Sequence, residues 1–199
     1  MEVESKLVMD VPTEEEVKEK PTISQVKERC KIDIGNDVYV IANVFNDSEL
    51  IHIRQFERYG SKTYPTTKGV ALPLSRWLML EGYANFIEES IDTNEMQRER
   101  QQRHLGGGVM LTVGESYIAM DIRQYWKPKD SDEPCPTKRG VQLSYEQAKK
   151  LLDVMKVIRD FVPDLDDTVP CYMNEDHQNQ EGMLWCRECN PFQIADNLH

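Results

Sequence analysis

The sequence predicts an α+β chain of two tandem units, each a strand-rich segment closed by a helix. Three observations carry this reading. Pro65-Thr66-Thr67-Lys68-Gly69-Val70-Ala71-Leu72 recurs as Pro136-Thr137-Lys138-Arg139-Gly140-Val141-Gln142-Leu143, an offset of 71 residues from Pro65 to Pro136. Upstream, Ile53-Arg54-Gln55-Phe56 recurs as Ile122-Arg123-Gln124-Tyr125 at an offset of 69, so the intervening loop is longer in the second copy. Around both repeats the apolar pattern first alternates like a strand and then takes the period of a helix.

Taken in order, residues 1–31 mix acidic and basic side chains with Pro12 and Pro21 and read as a mobile charged tail. The first unit spans 32–91. Val38–Ala42 and Leu50–Arg54 alternate as half-buried strands around a turn at Phe45-Asn46-Asp47-Ser48. Its helix carries Leu74, Trp77, Leu78, Ala84, Ile87 and Ile91, weakened by about 1 kcal/mol at Gly82. Residues 92–104 are charged and rich in Gln, a linker or an extension of that helix. The second unit spans 105–165, with strands at Val109–Val113 and Tyr117–Arg123 around the tighter turn Gly114-Glu115-Ser116. Ser144 followed by Gln147 is a capping-box signature. Beyond it, Ala148, Leu151, Leu152, Met155, Ile158 and Val162 form an apolar stripe that Pro163 ends. Val154, Val157 and Phe161 add a second stripe, which predicts a helix facing both its own sheet and a neighbour. Residues 166–199 form an acidic, Cys-containing tail.

Composition excludes several classes. No stretch approaches the roughly 20 apolar residues needed to span a bilayer, and Met1–Asp10 lack the basic start and apolar run of a secretory signal, so an intracellular, non-membrane protein is expected. The net charge of -11 opposes nonspecific attraction to nucleic acid, but it is unevenly distributed. Residues 166–199 hold seven acidic side chains against one basic, whereas 104–165 balance nine against nine. There is no Gly-rich phosphate loop, nucleophile elbow or paired-carboxylate motif, and the four histidines are scattered, so no enzyme is expected. Five cysteines, an odd number, fit reduced thiols or a metal site better than a disulfide framework. Cys186 and Cys189 have the Cys-x-x-Cys spacing that lets two thiolates share one tetrahedral zinc, and Cys171 and His177 could complete the set. Such a zinc would be structural, since four protein ligands leave no open position. The alternative is that these thiols are spectators.

Each copy, with strands, an aromatic-basic strand end, a Pro-x-x-basic-Gly-Val-x-Leu lead-in and a helix, resembles the C-terminal domain of the positive cofactor four family of RNA polymerase II transcriptional coactivators. The resemblance covers roughly residues 33–91 and 105–163. It implies a curved four-stranded antiparallel sheet backed by one helix, with two units forming a groove for single-stranded DNA. Family members usually supply the halves from two chains; here it implies an intramolecular pseudo-dimer. It further implies a nuclear location, transcription proteins as partners, and no required cofactor.

By the same resemblance, Phe45 and Trp126 match stacking aromatics, and Arg54 and Arg123 match the basic residue ending the second strand. Lys68 and Arg139 match the basic residue before the glycine, and Lys138 adds a neighbouring cation. Aromatic faces would stack on bases and cations would follow the phosphates. The chain also departs from the family. Val38, Asn43, Asn46 and Ser48 stand where hairpin cations are expected, Glu57 replaces the first tryptophan, and the second copy lacks a counterpart of Phe45. Arg54 and Arg123 would suit a solvated strand face equally well. A protein-interaction module with the same fold and degenerate DNA binding is therefore the alternative.

Overall fold

The computed structural model describes residues 27–92, 100–115, 118–131, 133–177 and 180–193. Residues 1–26 and 194–199 of the two tails, 93–99 of the linker, and Ser116 and Tyr117 of the second hairpin lie outside the described residues.

Two four-stranded antiparallel sheets have the same strand order, each followed by helix. The first contains β1 (Lys27–Gly35), β2 (Val38–Phe45), β3 (Ser48–Tyr59) and β4 (Lys62–Pro73), then α1 (Leu74–Gly82) and α2 (Ala84–Asp92). The second contains β5 (Gln101–Gly106), β6 (Val109–Glu115), β7 (Ile118–Trp126) and β8 (Cys135–Leu143), then α3 (Tyr145–Val157). Hairpin chemistry explains the tight turns. Asn36-Asp37 and Asn46-Asp47 take positive φ values of 49° to 58°, which Asn and Asp tolerate and which match the strand twist. Gly107-Gly108 does the same between β5 and β6.

The repeated sequence builds the same local geometry twice. Arg54 pairs with Gly69 and Arg123 with Gly140, each just before a register shift, after which Phe56 pairs with Pro65 and Tyr125 with Pro136. At Gly69 an added Cβ would lie 2.7 Å from the Ile53 carbonyl oxygen, and at Gly140 2.9 Å from that of Ile122. Only glycine lets the strands approach this closely. The Thr66 hydroxyl donates to the Gln55 carbonyl at 2.7 Å, and the Thr137 hydroxyl to that of Gln124 at 2.8 Å.

Strand structure extends beyond the expected boundaries. β1 begins at Lys27, within the segment read as tail, and β5 begins at Gln101, within the segment read as linker. Polar residues form β5 because partners on the next strand and on a helix satisfy them: the Gln102 amide donates to the Thr112 hydroxyl of β6 at 3.1 Å, and Arg103 lies 4.5 Å from the ring centroid of Phe86 in α2. The first unit's helix divides after Gly82 into α1 and α2. Residues of the acidic tail also fold, as short helical turns at Cys171–Met173 and Glu175–His177 and as α4 (Gln180–Trp185).

The two units share one core. α3 packs on its own β7 and β8 and also on β1, α1 packs on β3, β4 and β5, α2 meets α3, β6 and β7, and β4 lies against β8. The capping box at Ser144 and Gln147 forms as the sequence predicts, and the Gln147 amide also donates to the Gly35 carbonyl of the first sheet at 2.8 Å. Val154 is buried in this seam, while Val157 and Phe161 stay partly exposed, so the second stripe is only partly covered. Among the described residues no helix is long and apolar enough to cross a membrane.

Candidate nucleic-acid interface and metal centre

A cleft of about 390 Å³ opens where the two sheets meet. Arg54, Thr67 and Ala71 of the first unit line it, together with Val109, Gln124 and Arg139 of the second. Two of the expected cations, one from each unit, therefore share one depression. The Arg54 guanidinium donates to the Thr66 carbonyl at 2.6 Å, and burial lowers its pKa. Arg139 is exposed, and its amide is fixed by the Thr137 hydroxyl at 3.1 Å.

The other expected residues do not line this cleft. Lys68 and Lys138 are exposed on β4 and β8, and Phe45 is half-buried at the end of β2. Trp126 is 54% exposed at the end of β7 and lines a second depression with Lys127, Lys129 and Phe192. Arg123, although equivalent to Arg54, is held differently. Asp121 grips its guanidinium at 2.8 and 2.9 Å, and the Thr137 carbonyl accepts a third hydrogen bond at 2.9 Å. Asp121 is only 8% exposed, so this cation already neutralises a buried carboxylate.

Tyr59 and Tyr64 are two further exposed aromatics that the repeat does not point to. Both are exposed at the β3–β4 hairpin tip, with ring centroids 6.1 Å apart, and Tyr64 pairs in register with Glu57, which occupies the first copy's tryptophan position. The available signal was the Gly60-Ser61 turn, with Gly60 at a φ of 62°, which carries its flanking aromatics out to a tip.

Residues 116–154 match the family model for Transcriptional Coactivator p15 (PC4). The match runs through β7 and β8 into α3, and so takes in Arg123, Trp126, Lys138 and Arg139. The p15 family comprises non-enzymatic transcriptional coactivators that bind DNA. No curated protein and no solved structure matches the chain.

The C-terminal segment gathers Cys171, His177, Cys186 and Cys189 so that their ligand atoms all lie within 4.8 Å of one another. This cluster could hold a metal ion. The Cys171 and Cys186 sulfurs are 3.7 Å apart, close to the edge of about 3.8 Å expected for a tetrahedron with Zn–S bonds of about 2.3 Å. His177 Nδ1 is buried with no hydrogen-bond partner. The Cys189 amide donates to the Cys186 sulfur at 3.5 Å. Burial alone would raise the Cys186 thiol, but the Cys189 and Glu188 amides, with His177 and Cys171, outweigh it and hold it at about 7. Burial and the Cys171 side chain push Cys189 up to about 12. The donor set of three sulfurs and one imidazole suits zinc.

Proposed function

We propose that the chain binds single-stranded DNA in the cleft between its sheets and acts as a nuclear transcriptional coactivator alongside RNA polymerase II. The observation that carries this reading is the meeting of Arg54 and Arg139 in one cleft, from units whose paired strands repeat the same bulge and glycine. The two repeats partner each other within one polypeptide, taking the place of two chains. Lys68, Lys138, Lys127 and Lys129 follow the phosphates, while Trp126, with Phe45 at the far hairpin, offers a stacking face worth about 1–3 kcal/mol per base. The acidic ends contact transcription proteins. Strand binding needs no cofactor; Cys171, His177, Cys186 and Cys189 hold a structural zinc ion.

Titration of a labelled single-stranded oligonucleotide at low and moderate salt tests this reading. Trp126→Ala should weaken binding by about fivefold or more. Arg54→Ala and Arg139→Ala should each weaken it and lower the slope of log affinity against log salt by about 0.7 per lost phosphate contact. Binding unaffected by all three variants would contradict the site. One observation favours a second reading, a protein-interaction module: Asp121 already occupies Arg123, which leaves fewer cations for phosphate. Absence of binding at low salt would leave that reading standing.

A further inference from the structure

We propose that the metal centre is a clasp that fastens the first unit's helix to the second unit's sheet. This rests on the zinc assignment above and goes beyond it. Glu188 lies between the two ligands of the Cys-x-x-Cys pair, so an ion that fixes Cys186 and Cys189 also fixes Glu188. Its carboxylate takes the guanidinium of Arg76 in α1 through two contacts, one of them Nη2 to Oε2 at 2.7 Å. Its carbonyl accepts the Gly107 amide at 2.8 Å, in the β5–β6 turn. A single residue thus bridges both units. The turn is built to receive it. At Gly106 an added Cβ would collide with Glu188, and at Gly107 with Arg76; at Gly108 it would lie 3.1 Å from Phe192.

Apolar packing holds the segment only weakly: Met183, Leu184 and Phe192 are partly buried against the body of the protein, beside Met110 and Tyr125. None of the described residues from Cys171 onward is a buried hydrophobic side chain, and Tyr172, Met173 and Trp185 are exposed. Its helical pieces run only three to six residues, too short to be stable alone. A cavity of about 420 Å³ lies between this segment and α1, lined by Leu78 and Met79 of the helix and by Cys171 and Met183. The metal supplies the order that a hydrophobic core would otherwise provide, and Glu188 passes it to Arg76 and Gly107.

The test is hydrogen exchange on the full chain, combined with metal analysis. The native protein should carry about one zinc per chain. Chelation, and separately Cys189→Ser, should raise exchange about tenfold within 171–193 and also at 104–108 and in α1. Arg76→Gln should retain zinc and protection around Cys186 while raising exchange at 104–108. Zinc binding with chelation effects confined to 171–193 would overturn the clasp but leave the zinc assignment intact. A chain that neither purifies with zinc nor takes it up on addition would overturn both.

Discussion

Arg54 and Arg123 occupy equivalent register positions, opposite Gly69 and Gly140, yet they have different neighbours on their own strands. Two residues before Arg123 stands Asp121; two residues before Arg54 stands His52. Side chains two apart on a strand share a face, so the second arginine is neutralised where it stands and the first is not. Arg123→Ala should therefore destabilise the protein by about 1–3 kcal/mol, because the Asp121 carboxylate is left buried without its partner. Chemical denaturation would measure that loss. Asp121→Asn should release the guanidinium and strengthen single-strand binding in the same titration; weaker binding would contradict this account. At His52, burial and the nearby Arg54 guanidinium lower the imidazole pKa below its ordinary value. The unfolded chain then takes up a proton below about pH 6.5 that the folded chain resists. Its contribution to stability is full above that pH and is lost as pH falls towards the depressed folded value. Denaturation midpoints at about pH 7.5 and pH 5.5 should differ more for the native chain than for His52→Asn.

Among the elements, the β3–β4 and β7–β8 pairs depend on a bare glycine and the first helix tolerates one. Gly69→Ala or Gly140→Ala would place a methyl within 3 Å of backbone atoms that cannot yield cheaply, at a cost of about 1–3 kcal/mol. Gly82, at the end of α1, has nothing within 4 Å of where a Cβ would stand. Gly82→Ala should raise stability by about 0.4–1 kcal/mol by restricting the unfolded chain and favouring helix. Thermal unfolding should show opposite shifts for these glycines, and a common direction would count against this account. The Ser144 cap was readable from the chain because Ser-x-x-Gln is a local pattern. Strand β5 was not, because Gln101-Gln102-Arg103-His104 lacks apolar alternation and is held by partners on β6.

For the whole molecule, the two sheets are not independent beads. α3 closes the second sheet while resting on β1, α1 reaches β5, and Arg159 joins Glu81 across the seam at 2.8 Å. Shared helices couple the units, so calorimetry should give one cooperative unfolding transition for residues 27–165. Two separated transitions would show that the seam is weaker than its contacts suggest. The shared cleft exists only because of this coupling: neither unit alone brings Arg54 beside Arg139.

The repetition and most of its strands and helices could be read from the chain alone. Alternating apolar residues, Asn-Asp turns and the recurring Pro-x-x-basic-Gly-Val-x-Leu are local signals, and chain neighbours suffice to set them. The Cys-x-x-Cys pair, too, was legible by spacing alone. Which surfaces meet was settled by three-dimensional packing. Gln147 reaching Gly35 and Glu188 reaching Arg76 each span 112 residues, a separation across which no periodicity carries information. Such contacts follow from how the helices bury against two sheets at once, and that choice is made by packing of the whole chain.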